Sequence, residues 1–570
     1  MKKQIIYGLA LTLLTACGSA SEPLIPPRNA PQSAGGANPG SDANFGRFGS
    51  DNKLPDLTTL KPRQSVSLAS SDTAQTPYRE TFFKNYGVNP FIDSKSDPQS
   101  TFGADADTAS YSITRAYLNS GKFPPEAAIR PEEFINAFDY NYKDPKTGNF
   151  NIYTHMMTSP FDARNHLLRI GIQGKRVKEN KPSNITVVVD VSGSMNKENR
   201  LGLVQRSLQI LFNKLSKEDR VAVVIYGSEA RTLLPHTPVI DRATLDSIIV
   251  KLRPEGSTNA EAGLLAGYAE ASKAYRHGEI NRVILMSDGV ANVGEKGPEK
   301  ILERIKAESE SGITLTTLGF GMDGFNDTLM EQLANQGNGN YAYIDTVEEA
   351  HKSLSMRLKS TLYTLGYDVK IQVDFPTEYV EQYRLIGYEN RDIADRDFRN
   401  DTVDSGEVGS ASAVTALYEV RLTPEGLQKF KAHSPDALAT VRMRYKTIDN
   451  LAQVKEIEHR ATGQIVAKAP TDRLKLSACV AGFAEILRGS VFAREYSLYQ
   501  LHDNVKELAE NSDVQGREVN ELLGLIHQAR NLKNPTQPQP IAEDDVIQQS
   551  ENPRQLSDWK AFLLRQLGGG

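Results

Sequence analysis

The chain has 570 residues, more than a single hydrophobic core usually holds, so two to four domains are expected. Lysine and arginine number 66 against 71 aspartates and glutamates, a formal net charge of −5. That balance provides no basic footprint for nucleic acid, which is not expected as a partner.

Lys2 and Lys3 precede an apolar stretch at residues 5–14 that is short for a membrane span and reads as a secretion signal. Leu14-Thr15-Ala16-Cys17 resembles the lipobox of bacterial lipoproteins, in which the signal is cut before the cysteine and the cysteine is acylated. The resemblance implies a signal at residues 1–17, palmitate-type lipidation of Cys17 and a cell-envelope protein anchored to the membrane by lipid. Two or three acyl chains hold stably, whereas one holds marginally. Gly18 is not the aspartate associated with inner-membrane retention, so in a Gram-negative host the outer membrane is the expected destination. Residues 18–76, rich in Pro, Gly, Ala, Ser and Asn, bury too little to offset their ordering entropy and are expected to form a disordered tether. With Cys17 consumed, Cys479 is alone in the mature chain, and its apolar helical neighbours Leu476, Val480 and Phe483 indicate packing.

Residues 77–149 are expected to be a helical region. One helix starts at Asp107-Thr108, with capping as the role of Asp105 and Asp107. Another starts at Pro131 with Glu132 and Glu133 against its dipole, burying Phe134, Ile135 and Phe138. Strands follow at 150–157 and 167–173. Over 182–358, β-branched and aliphatic runs at 187–189, 221–225, 283–286 and 313–318 predict strands of a parallel-dominated sheet buried on both faces. Between them, Leu201, Val204, Leu208, Leu211 and Leu215 form a helical stripe, and 260–275, 299–310 and 327–336 read as further helices. The alternation predicts a doubly wound α/β domain, whose ligands bind at the carboxyl ends of its strands.

At that edge Asp190-Val191-Ser192-Gly193-Ser194 places a carboxylate and two hydroxyls on one strand-to-helix turn. Thr258 in Gly256-Ser257-Thr258-Asn259 and Asp288 in Ser287-Asp288-Gly289 fall at loops of the same edge. Magnesium and manganese favour such oxygen donors, and neutral hydroxyls hold an ion without quenching its charge. The alternative is that these Asp and Ser residues cap the helix opening near Asn199 and Arg200. The motifs resemble the metal-ion-dependent adhesion site of the von Willebrand factor type A domain. The resemblance implies Asp190, Ser192, Ser194, Thr258 and Asp288 as ligands of Mg2+ or Mn2+, with a protein partner's acidic side chain completing the shell.

Beyond this domain, strands are predicted at 367–375, 383–388, 414–422 and 438–445. Residues 150–181 and 360–466 are expected to form a β-sandwich into which the α/β domain is inserted. Helices at 474–488, 494–511 and 514–531 predict a helical bundle over 467–535, and 536–570 reads as a polar tail with a short terminal helix. Asn89-Pro90-Phe91, Asp105-Ala106-Asp107-Thr108-Ala109-Ser110-Tyr111, Arg130-Pro131-Glu132-Glu133-Phe134 and Tyr383-Arg384-Leu385-Ile386-Gly387-Tyr388-Glu389-Asn390-Arg391 resemble a family of bacterial lipoproteins. In that family a type A domain lies between an associated N-terminal region and a C-terminal domain of unknown function. Ser412 stands near where many members have histidine, so no role of that histidine carries over.

Asp395, Asp397, Asp401, Asp404 and Glu407 offer oxygen for a second ion, Ca2+, though without EF-hand spacing. Gly319-Phe320-Gly321-Met322-Asp323-Gly324 fits a dinucleotide pattern, with Asp345 ending the next strand. Asp323 stands where pyrophosphate would approach, and the segment follows a late strand, so no nucleotide is expected. The histidines show no HExxH spacing, and no lipase-type GxSxG is present. The expected function is therefore non-enzymatic: metal-dependent binding of a protein partner, as in adhesion. The alternatives are an envelope scaffold with a structural metal and a metal-assisted hydrolase.

Overall fold

Four β-branched runs form the centre of a six-stranded sheet whose order is Tyr341–Tyr343, Thr314–Gly319, Ile280–Ser287, Ser183–Asp190, Arg220–Tyr226 and Ala230–Pro238. All neighbours are parallel except the last pair. The computed structural model describes residues 81–179, 181–289, 298–447, 450–466, 471–510, 514 and 516–533. The expected signal, Cys17, the tether at 18–76 and the tail at 536–570 lie outside them. Every residue of Ser183–Asp190 is buried, because helices cover both faces. Ile185, Val187 and Val189 pack with Val204, Leu208 and Leu211 of the helix Arg200–Lys214. Val188 faces the other way, towards Leu264 and Tyr268 of Ala260–Lys273. Asn259 and Asn326 start their helices by accepting from the amides of Ala262 and Leu329.

The predicted elements of this unit fall within a few residues of the observed ones, and Asp327–Gln336 coincides with its expectation. Elements not anticipated include the antiparallel edge strand Ala230–Pro238, the helix Arg242–Lys251 and the short helix Val347–His351. The strand's polar, proline-containing sequence suits an edge and carries little β signal.

Strands from both sides of the unit pair with one another. One antiparallel sheet runs Ile92–Asp93, Val380–Ile386, Ala413–Leu422, His166–Gly174, Phe150–Thr158. A second runs Val408–Gly409, Thr364–Asp374, Ala437–Thr447, Asn450–Thr462, with Gln99–Gly103 also paired to Thr364–Asp374. Ile152, Ile170 and Ile172 of the first share one core with Ile371, Val441 and Met443 of the second. The segment 77–149, expected to be helical, thus also supplies Ile92–Asp93 and Gln99–Gly103. Both are short, and their backbone pairing with distant strands overrides weak local preference.

Helices Asp472–Leu487, Leu498–Ala509 and Arg517–Lys533 share a core with Phe134, Ile135 and Phe138. Cys479 lies in this core, and burial pushes its thiol up to about 12. Arg384, fully buried, joins sheet to helix by pairing with Glu419 at 2.7 Å and Glu485 at 3.1 Å. Among the described residues no helix is long and apolar enough to cross a membrane.

Asp105 and Asp107 do not cap a helix through Thr108, whose side chain makes no cap hydrogen bond. They belong to a buried ionic junction. Arg391 meets Asp105 at 2.9 Å and Glu331 at 3.3 Å, while Arg130 pairs with Glu133 and, at 2.6 Å, with Asp327. Asp107 accepts the amide of Tyr341 at 3.1 Å. The demand of these guanidiniums and amides, absent from a local reading, draws both aspartates away from the helix end. The junction ties the N-terminal segment to the helix Asp327–Gln336 and to the loop after Val380–Ile386. Glu132 lies beside it, and burial followed by Glu389, Glu133 and Asp105 pushes its carboxyl up to about 8.

Candidate functional site

The carboxyl end of Ser183–Asp190 delivers Asp190 to the sheet edge, where the chain breaks into the turn Val191-Ser192-Gly193. Asp190 is fully buried. Its Oδ1 accepts the amide of Ser192 at 2.9 Å. Its Oδ2 accepts hydroxyls from Tyr226 and Ser287, each at 3.0 Å. Tyr226 and Ser287 end the strands on either side, so three adjacent strand ends fix one carboxylate. The ring of Tyr226 fits because residue 263 is glycine, where a Cβ would overlap it.

The Ser192 and Ser194 hydroxyls are 2.9 Å apart. Burial raises the Asp288 carboxyl, and the Ser194 hydroxyl and Arg200 guanidinium beside it pull back down. Arg200 Nη1 lies 2.7 Å from Asp288 Oδ2. Burial, then the neighbouring charge of Asp288, pushes Asp190 up to about 6. Two buried carboxylates, one of which raises the other's proton affinity, with two hydroxyls beside them, form a hard-oxygen donor set whose repulsion a cation would relieve. The residues present therefore fit a divalent ion.

Thr258 joins the edge through its loop. The amide of Gly193 donates to the carbonyl of Gly256 at 3.1 Å, and that of Asn259 to Gly227 at 2.9 Å. The loop is thus stitched to both neighbouring turns, with Thr258 half-buried in it. Among the described residues no side-chain hydrogen bond links Thr258 to the other four. Ser192 does not act as a helix cap, since it makes no side-chain cap bond to the 3-10 turn Gly193–Asn199.

Sequence reasoning missed Tyr226 and Arg200 as members of this edge. The signal for Tyr226 was positional, as it ends the strand next to Asp190. Arg200 reaches Asp288 only through tertiary packing.

The carboxylates at 392–407 do not gather into a calcium site. Asp395 accepts from Thr101 at 2.6 Å, Asp397 from Asn400 at 2.9 Å, and Asp401 pairs with Arg444 at 2.9 Å. Thr101, Asn400 and Arg444 thus engage three of the five carboxylates, while burial and neighbouring acids, Asp368 for Asp404 and Asp404 with Asp368 for Glu407, raise the other two. Among the described residues Asp105, Glu133 and Glu331 do converge, within 4.8 Å, but Arg130 and Arg391 interleave them. The loop at 319–324 packs around Arg200, its Asp323 pairs with Lys197 at 2.8 Å, and Asp345 pairs with Arg115 at 2.5 Å. A surface groove of about 580 Å³ is lined by residues such as Leu203, Arg206, Ile249 and Val347, and by none of the five candidate ligands.

This sheet and edge define a von Willebrand factor type A domain, and residues 184–357 match the family of that description. Residues 77–169 match a family described as von Willebrand factor, and 360–532 match one described as Uncharacterized protein YfbK, C-terminal. Uncharacterized protein YfbK of Escherichia coli (strain K12) is 33% identical over 486 residues, covering 81% of this chain and 82% of that protein. The chain belongs to the YfbK family. Human inter-alpha-trypsin inhibitor heavy chain H3 is 29% identical over 166 residues, which cover 28% of this chain and 18% of that protein. Among solved structures, a von Willebrand factor type A protein from Catenulispora acidiphila is 15% identical. It covers 71% of this chain and 92% of its own, with a TM-score of 0.39.

Proposed function

We propose that this protein is an extracytoplasmic lipoprotein, anchored through Cys17 in the cell envelope and, in a Gram-negative host, in the outer membrane. It binds a protein partner through a divalent cation held by Asp190, Ser192, Ser194, Thr258 and Asp288. The supporting observation is the convergence of two buried carboxylates and two hydroxyls at the carboxyl edge of a parallel sheet. Bound Mg2+ or Mn2+ would supply an electrophilic position for a partner's carboxylate. In this reading Ser192, Ser194 and Thr258 contribute oxygen without charge. Tyr226 and Ser287 hold Asp190 in place, and Arg200 holds Asp288. The flanking strands form a β-sandwich interrupted by the type A domain, and the C-terminal helices form a bundle that supports it. No catalytic role is assigned to any residue.

The test is affinity purification from native membranes with and without EDTA, using the wild type and Asp190→Ala. Capture abolished by the chelator and by the variant is expected. Capture that survives both points to the scaffold, and turnover of a co-purified molecule points to the hydrolase.

A further inference from the structure

Arg200 opens the helix Arg200–Lys214, at the positive end of the helix dipole, an unfavourable place for a buried cation. Its side chain is nevertheless only 1% exposed. Nη1 donates to Asp288 Oδ2 at 2.7 Å and lies 3.4 Å from the carbonyl of Asp323. Space for the guanidinium comes from Gly321, which has a φ of +73° and where a Cβ would overlap Arg200 Nε. Lys197 ties the same loop back to the 3-10 turn Gly193–Asn199 through Asp323. Two elements therefore close around a guanidinium that points at a candidate metal ligand.

Charge decides what this does. Asp190 and Asp288 bring two negative charges, which alone would neutralise a divalent ion and leave little pull on an anion. Arg200 returns one positive charge, so the loaded site stays cationic. Resting on the reading of this edge as a cation site, we propose that Arg200 is a positioning residue that weakens the site's hold on the ion and strengthens its hold on a carboxylate-bearing partner. It pins Oδ2 of Asp288. The partner class that follows is an acidic peptide segment, attracted by the surplus charge.

The experiment titrates Mn2+ into the wild type, Arg200→Gln and Arg200→Lys, then titrates a blocked Gly-Asp-Gly peptide into each Mn2+-loaded protein. Arg200→Gln is expected to bind Mn2+ roughly tenfold more tightly, and its loaded form to bind the peptide roughly tenfold more weakly, because one buried charge is removed near the ion. Arg200→Lys, which keeps the charge, is expected to stay within about threefold of the wild type in both. The crossed change is the signature, because loss of a merely structural residue would weaken both. Both affinities falling together in Arg200→Gln, or neither moving, overturns the proposal. If Arg200→Gln does not fold, Arg200→Lys decides: wild-type behaviour supports the proposal, and tighter Mn2+ or lost peptide binding overturns it. A wild type that takes no Mn2+ removes the site reading and this inference together. A wild type that binds Mn2+ without the crossed change in Arg200→Gln removes only the inference.

Discussion

Tyr226 stands opposite Asp190 in the register of two parallel strands, and its hydroxyl donates to Asp190 Oδ2 at 3.0 Å and contacts Ser287 Oγ at the same distance. Tyr226→Phe removes a donor from a buried carboxylate and is expected to cost about 1–3 kcal/mol of stability. Mn2+ affinity is expected to fall roughly tenfold as Asp190 loses its orientation. Gly263→Ala should act in the same direction by displacing the Tyr226 ring. Thermal melts and Mn2+ titration check both variants, and wild-type values in both would show that Asp190 needs no such support.

Arg384 is a second buried hub, with side-chain exposure of 0% between Glu419 at 2% and Glu485 at 1%. Burial raises Glu485, but Arg384 and Arg488 outweigh it and hold the carboxyl below its ordinary value. Arg384→Met strips a partner from two buried carboxylates, and a loss of about 3–5 kcal/mol is expected. Denaturant unfolding measures it. A change below about 1 kcal/mol would mean that neighbouring groups re-pair the glutamates.

The ionic junction should make stability depend on pH. Glu132 titrates at about 8 and Glu133 at about 7 in the folded chain, both raised first by burial. For Glu133, Arg130 opposes that rise and Asp105 adds to it. Each therefore binds more protons folded than unfolded between its ordinary and its folded value, so stability falls as pH rises through that window. His166 and His236, both lowered to about 4 by burial, act in the opposite sense below their ordinary 6.5. Above pH 6.5 the two histidines no longer oppose the fall. Glu132 contributes a slope approaching about 1.4 kcal/mol per pH unit near pH 7 that tapers through its folded value of about 8, and Glu133 adds to it near pH 7. Glu132→Gln should flatten this slope and stabilise the chain at pH 8.5 relative to the wild type. An unaltered slope in that variant would place the proton elsewhere.

The α/β unit was legible because its strands are β-branched runs buried on both faces, and its helices carry regular apolar stripes. That Asp190, Ser192, Ser194 and Asp288 share one sheet edge was legible because each falls at or just after a strand end, and the topology brings those ends together. Contributions set by partners distant in sequence were not legible. Gln99–Gly103 becomes a strand only by pairing with Thr364–Asp374, and Asp105 leaves the helix end because Arg391, far along the chain, reaches it. Arg200 looked like the start of a helix and is also the cation beside Asp288. The acidic loop at 392–407 suggested a calcium site until the partners facing it, Thr101 and Arg444 among them, were placed.

The most direct test of the cation site is equilibrium binding of Mn2+, competed by Mg2+, to the wild type and to Asp190→Ala, with thermal melts of both in EDTA. Saturable, Mg2+-sensitive binding in the wild type, lost in a variant that still unfolds cooperatively, is the predicted result. A folded wild type that takes up no Mn2+, or a variant that takes it up equally well, would contradict a metal centre at this edge.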